Sequence, residues 1–374
     1  MTSNPEIVEK TERLVRLIEA EKLAGVLINA QHNFAWLTCG GANGIDISRD
    51  PGAGWLLVRR DGKRFVLANR IEMARLLDEE LAGGDFEAVE FPWEDERAAP
   101  DFVVKRARSL LEGNQAVGCD LPVTGADRIV EAQLSRVRSH LTQPEIERYR
   151  ELGRDAGEVI GRLARRLEPG MSEREIARLA VHALAGKGMR AVVALVAADE
   201  RLAKYRHPVP TERRWERVAM IVVCARRGGL IASLTRIVCS GAVPDELLRR
   251  TNACARVNAR LWEATRAGVS GSELYSVAAH AYEDEGFSGE ERLHHQGGAT
   301  GYRTREWVAH PYCDEKVQIP QAFAWNPSIT GTKVEETCLA FDDWVESISA
   351  SPDWPKIQVK GGERDYEFPD VLAL

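Results

Sequence analysis

Over the first third of the chain the apolar positions switch repeatedly between helical and strand spacing. Ile7, Leu14, Leu17 and Ile18 recur at helical intervals and predict a helix over 6–21. Residues 25–29 read as a short buried strand. The runs 55–59 and 64–68 flank the turn Arg60-Asp61-Gly62-Lys63 and read as a hairpin. Helical spacing returns over 71–81 and is closed by Gly83-Gly84. Then follow a strand at 86–91, an amphipathic helix at 101–111 and a strand at 116–119. This alternation predicts an α/β domain.

The pattern changes near Leu141. Thr142-Gln-Pro-Glu145 has the form of a capping box, with Pro144 in the first turn, and opens a long helix to about Leu167. Ser172-Glu-Arg-Glu175 opens a second helix, to about Gly188. Residues 220–224 and 230–237 predict strands around Gly228-Gly229. A third helix is expected over 243–267, and Ser270-Gly-Ser-Glu273 opens a fourth that ends before Gly286. Loops and strands rich in Gly, His, Trp and Pro follow. The expected fold class is therefore α+β. An α/β N-terminal domain spans residues 1–140, and an antiparallel sheet covered by helices spans 141–374, in two similar halves.

Composition narrows the classes. The chain has 374 residues, 44% apolar and 29% charged, with a net charge of −7 of interspersed sign. There is no basic stripe of the kind a nucleic-acid surface requires. The longest strongly apolar run, 218–225, is far short of the roughly 20 residues of a membrane helix. Residues 1–10 are polar and do not resemble a secretory signal. Seven scattered cysteines without a CxxC pair read as reduced thiols. The expectation is a cytoplasmic protein with neither nucleic-acid nor membrane partners.

Several stretches carry a resemblance to the creatinase/aminopeptidase P family, peptidase M24, of pita-bread fold. They are Asn33-Phe-Ala-Trp-Leu-Thr38, Gln143-Pro-Glu-Ile-Glu147, Glu168-Pro-Gly-Met-Ser-Glu173, Ser233-Leu-Thr-Arg236 after Gly228-Gly229, Gly297-Gly-Ala-Thr-Gly301, Asn326-Pro327 and Lys333-Val-Glu-Glu-Thr337. Their order covers nearly the whole chain. The family's metallopeptidases hold two metals with two Asp, one His and two Glu. Anchored on Thr235-Arg236, those positions fall here at Val222, Ser233, Gly298, Asn326 and Glu335, so only Glu335 retains a ligand. The expectation is no metal and no other cofactor, because a bridged pair of divalent ions needs anionic ligands. Creatinase itself works without metal. The resemblance therefore implies a metal-independent hydrolase that cleaves a C–N bond in a small, carboxylate-bearing, amino-acid-like substrate, as a homodimer. Thr235 stands where creatinase has a Glu that helps bind creatine, which argues against creatine itself.

The resemblance assigns His207 as proton shuttle and Glu335 as its electrostatic partner. Their plainer roles would be a loop histidine and a buried partner of Lys333 or Arg236. Substrate-binding candidates are Arg49 and Trp36 from the N-terminal domain, and Arg236, His294, His295, Tyr302, Arg305, Asn326 and Lys333. His294 and His295 are adjacent. On an extended segment they would point to opposite faces, so one is expected in the pocket and chelation of one ion is disfavoured. Gly297, Gly298 and Gly301 suggest either an anion-binding nest or a tight turn. Rival readings are a lyase, isomerase or cyclase on the same pocket, a conventional Xaa-Pro aminopeptidase, and a non-catalytic binding module.

Overall fold

The computed structural model describes residues 4–81, 83–113, 115–362 and 364–374. The chain divides into two compact units, Met1–Arg138 and Ser139–Leu374. The first unit is a six-stranded mixed sheet. Its order is Glu87–Phe91, Arg64–Asn69, Pro51–Arg59, Leu23–Ala30, Ala116–Cys119 and Arg128–Ile129. Leu23–Ala30 is buried along its whole length. That is why it reads as one apolar run rather than as an alternating strand. The helix Pro5–Ala20 turns Ile7, Leu14, Leu17 and Ile18 inward. The expected helix over 71–81 is reduced to one α turn, Met73–Arg75, running into a π turn, Leu76–Glu80, which closes with the Leu81 N–H on the Leu76 carbonyl.

The second unit repeats a simple plan twice: two helices, then a sheet, antiparallel throughout except for the parallel edge strand Leu372–Ala373 of the first. The first helix pair is Gln143–Ala164 and Glu173–Ala185, and the second is Asp245–Ala264 and Gly271–Asp284. Three of these helices begin with a complete capping box, at Thr142/Glu145, Ser172/Glu175 and Ser270/Glu273. In each, the hydroxyl accepts from the N3 amide while the Glu carboxylate accepts from the cap's own N–H. Two otherwise orphaned donors are satisfied by a four-residue motif, which makes these boundaries visible in sequence.

The first sheet holds Leu230–Cys239 between Val218–Arg227 and Leu372–Ala373, with Arg190–Ala198 beyond Val218–Arg227. The strand Arg190–Ala198 was not expected. Its Ala- and Val-rich run follows a helix and carries no turn signal of its own. The second sheet runs Gly297–Thr300, Gln321–Trp325, Glu336–Ala340, Val345–Ser347. Val257, Leu261 and Trp262 of one helix and Leu274 and Ala278 of the next pack on Phe323, Trp325 and Cys338 of that sheet. Phe323 and Trp325, two apart on their strand, stack at 5.5 Å between ring centres. Each such buried side chain contributes roughly 1.5–3 kcal/mol of transfer free energy. The glycine-rich stretch is the edge strand here: Gly297–Thr300 pairs with Ala322–Trp325, while the Gly297 N–H donates to His295 Nδ1 and the Gly301 N–H to the Arg303 carbonyl, so those two amides are already engaged. None of the described helices is long and apolar enough to cross a membrane.

Candidate functional site

The polar interior of the second unit gathers on Glu335, just before the strand Glu336–Ala340. Glu335 is buried and its backbone carbonyl accepts from the Thr235 N–H at 3.2 Å. Its carboxylate accepts from Thr235 Oγ1 at 2.7 Å. Lys333 Nζ lies 2.8 Å from one oxygen and Arg305 Nη2 3.4 Å from the other. Burial alone would raise this carboxyl's pKa. Lys333 and Arg305, with the bonds from Lys333 and Thr235, outweigh burial and hold it below its ordinary value. Glu335 is thus a fixed anion between two cations.

Three imidazoles gather beside these charges. His207 sits in the exposed loop after the short helix Arg201–Lys204. His294 and His295 lie between the 3₁₀ turn Glu290–Arg292 and the strand Gly297–Thr300. His207 Nε2 and His294 Nε2 are 3.2 Å apart. The rings of His294 and His295 stack at 4.4 Å, and that of His207 lies 6.0 Å from that of His295. One nitrogen from each ring falls within 4.8 Å of the others. The expectation that only one of His294 and His295 faces the site is corrected: the chain bends at His294, so the alternation of an extended strand does not apply. Gln296, fully buried, sets that bend. Its Nε2 donates to the His294 carbonyl at 2.5 Å and its Oε1 accepts from the Tyr282 hydroxyl at 2.7 Å.

All three imidazoles are less basic than usual. Burial, then Lys333 and Arg305 against a counteracting Glu335, lowers His207. Burial and then the Arg305 and Lys333 charges bring His295 down to about 4. Burial, followed by Lys333, His295, His207 and Arg206, brings His294 down to about 2. At neutral pH the cluster is a set of neutral bases beside two cations and one anion.

Two polar atoms here have no hydrogen-bond partner among the described residues, Asn326 Oδ1 and Arg305 Nε. A Cβ built on Gly297 would come within 3.0 Å of that Asn326 oxygen, which places it against the histidine segment. Asn326 is buried, its N–H donating to the Gln296 carbonyl at 3.0 Å. A buried acceptor left open costs about 1–3 kcal/mol. Arg305 Nε is likewise buried without a partner, on the residue that pairs with Glu335.

Other candidates are placed elsewhere. Arg236 neighbours Thr235 on its strand and so projects to the opposite face. It is buried, and its donors go to Ser351 Oγ, the Thr235 and Ser349 carbonyls and Glu336, 2.8 Å away. A substrate carboxylate is not what it holds. Tyr302 is buried and donates to Glu145 Oε1 at 2.7 Å, inside the capping box of the long helix. Trp36 is completely buried in the first unit, with the Lys10 ammonium 5.8 Å above its ring. It is a core residue of that unit. Arg49 lies in an exposed loop of the first unit, where its carbonyl accepts from Gln31 Nε2 at 2.7 Å. Thr235 and Gln296, which sequence reasoning did not count as site residues, are drawn in by their bonds to Glu335 and His294. A groove of about 410 Å³, lined by Leu202, Pro244, Leu247, Arg250 and Gly331 among others, contains no histidine and lies outside this cluster.

The positions at which the resemblance puts metal ligands are built differently. Val222 lies in an apolar cluster with Met220 and Ile237. Ser233 Oγ is 3.2 Å from Cys224 Sγ. At Gly298, a Cβ would meet the Trp307 carbonyl oxygen at 2.2 Å, so no side chain fits there without moving backbone.

Comparison with known proteins agrees with this architecture. The family model described as Metallopeptidase family M24 matches residues 147–348, and that of the Creatinase/Prolidase N-terminal domain matches residues 10–152. The Xaa-Pro dipeptidase from Bacillus anthracis superposes with a TM-score of 0.74 at 19% identity, over 92% of this chain and 98% of that one. Dipeptidase PepE from Mycobacterium ulcerans gives 0.76 at 17%, over 93% and 96%. The N-terminal domain of FACT complex subunit SPT16 from Cicer arietinum (chickpea) gives 0.69 at 10%, over 92% and 96%. At these identities the likeness is one of fold. No curated protein matches the sequence.

Proposed function

Because the chain belongs to metallopeptidase family M24, we propose that it is a creatinase-like hydrolase that opens a C–N bond in a small amino-acid-like substrate without a paired-metal cluster. The carrying observation is the Lys333 ammonium 2.8 Å from Glu335, the one carboxylate at the family's ligand positions. The donor set does not fit a bridged metal pair. One carboxylate, already answered by Lys333 and Arg305, cannot neutralise a charge of about +4, and Val222, Ser233, Gly298 and Asn326 supply no anion.

Each group then has a task. A substrate carboxylate lies against Arg305, using the open Nε edge, and a substrate N–H donates to Asn326 Oδ1. His207 is neutral, so it accepts a proton from water as the oxygen bonds to carbon. It returns that proton to nitrogen as the C–N bond breaks, so hydroxyl ends on carbon and hydrogen on nitrogen. Lys333 and Arg305 act electrostatically on His207, and in the same way they stabilise the negative charge that develops on oxygen. Glu335 keeps those cations in place and offsets the imidazolium while it exists. A carboxylate-bearing small molecule is the partner this requires, and a homodimer is the assembly proposed with it.

The test is turnover of a panel of dipeptides, N-acyl amino acids and guanidino acids by the full chain and by His207→Ala. General acid–base loss costs roughly 10²–10⁴-fold, and that fall in kcat/KM is expected with circular dichroism unchanged. Undiminished turnover removes His207 from the mechanism.

A further inference from the structure

The three imidazoles are arranged as more than an acid–base pair requires. A single proton carrier needs one ring, yet nitrogens of His207, His294 and His295 converge within 4.8 Å. His294 Nδ1 is 3.4 Å from Ser328 Oγ, with which it shares a hydrogen bond, and Gln296 holds the His294 backbone. Outer contacts of this kind orient a ligand ring and set which nitrogen offers its lone pair. The two Nε2 atoms 3.2 Å apart share one proton between two lone pairs. An ion taking that proton's place would engage both.

We propose that His207, His294 and His295 form a site for one divalent transition metal, and that its occupation switches the hydrolase off. The site is separate in kind from a carboxylate-bridged pair: all nitrogen, mononuclear, with no anionic ligand. The charged groups around it decide which ion it takes. Lys333 and Arg305 face it, and among the described residues the acid that pairs with them is Glu335, while Arg206 is paired to Glu290. Hard ions that depend on anionic oxygen, Mg²⁺ and Mn²⁺, gain little here. Ions that bond well to imidazole, Cu²⁺, Zn²⁺ and Ni²⁺, gain most. His295 Nδ1 accepts a long bond from the Gly297 N–H, at 3.3 Å.

Inhibition follows from the lone pairs. An imidazole nitrogen coordinated to a metal cannot accept a proton, so a bound ion removes His207 from proton transfer. This half of the proposal rests on His207 being the proton carrier; the metal site itself does not.

The experiment titrates the full chain, stripped of metal, with Co²⁺ followed by its visible absorption and with Zn²⁺ by calorimetry. One equivalent is expected for each, with Mn²⁺ and Mg²⁺ far weaker. Changes outside the ligand set already cost roughly 10–100-fold in affinity, so His294→Gln is expected to weaken Zn²⁺ by about 100-fold or more. His207→Ala, at an exposed position, makes the same test without risk to folding. Zn²⁺ affinity unchanged in both variants overturns the site. Zn²⁺ is expected to stop hydrolysis at one equivalent and a chelator to restore it. Full activity with the site occupied overturns the switch. Failure of the hydrolase reading shows separately, as no turnover of any panel substrate by the metal-free chain, and failure of His207 as proton carrier as undiminished turnover by His207→Ala; neither alters the cobalt spectrum of the unmodified chain.

Discussion

Two regions of this molecule bury the same kinds of residue to different ends. In the first unit, Asp120 accepts from the Asn29 and Ala30 amides and from Asn33 Nδ2. Glu131 accepts from His32 at 3.1 Å, Asn33 at 2.6 Å and Arg138 at 2.9 Å, and Arg138 donates again to Asn33 Oδ1. In the second unit, Glu335 is held as firmly by Lys333, Arg305 and Thr235, but Arg305 Nε and Asn326 Oδ1 are left open and three neutral imidazoles stand alongside. Charge and burial do not separate a site from a structural network. Nor do unanswered polar atoms, since Trp36 Nε1 and Asn43 Oδ1 of the first unit also lack a hydrogen-bond partner among the described residues; the three imidazoles gathered beside Lys333, Arg305 and Glu335 do.

The contrast can be broken by substitution. The largest expected effect is on catalysis: His207→Ala removes roughly 10²–10⁴-fold in kcat/KM while the melting temperature holds, since His207 is exposed. An equivalent cut in the first region acts on stability. Arg138→Ala leaves the half-buried Glu131 and the buried Asn33 without the guanidinium they share, and breaking a fully buried pair costs about 3–5 kcal/mol, so a loss of roughly 2–3 kcal/mol is expected here. Urea denaturation should show it, and a loss below about 1 kcal/mol would put the two regions in one class.

Acid sharpens the comparison. Glu131 is held down to about 2 although burial opposes this, through His32, Arg138 and Asn33. A carboxyl depressed on folding adds stability above its ordinary value near 4.5, and that share is lost as pH falls from there toward 2. At about 1.4 kcal/mol per unit the share is on the order of 3 kcal/mol. Glu131→Gln should therefore flatten the fall of melting temperature with acid; an unchanged slope would count against a closed network. The smallest effect is expected at Asn326. Replacing it by Leu removes an unpaired acceptor of similar volume, so stability should stay within about 1 kcal/mol of the parent or rise, while KM increases.

Much of the fold was legible because its signals are local. The three capping boxes, the hairpin turns and the helical spacing of Ile7 to Ile18 each lie within a few residues. The strand Arg190–Ala198 was not legible, since an Ala- and Val-rich run has no period to distinguish it. In the site, Glu335, Lys333, Arg305 and His207 come together across a separation of more than a hundred residues, and only the family resemblance pointed there. Arg236 could have been set aside from sequence: alternation along a strand sends it away from whatever Thr235 faces. The pairing of His294 with His295 could not, because the bend that aligns them depends on Gln296 finding Tyr282.

The most direct measurement is kcat/KM for the best substrate of the panel before and after exhaustive chelation, with bound metal quantified on the same sample. The expected result is activity equal or higher once metal is removed. Activity lost with the metal and restored by Mn²⁺ or Co²⁺ would contradict a site run by Lys333, Arg305, Glu335 and His207.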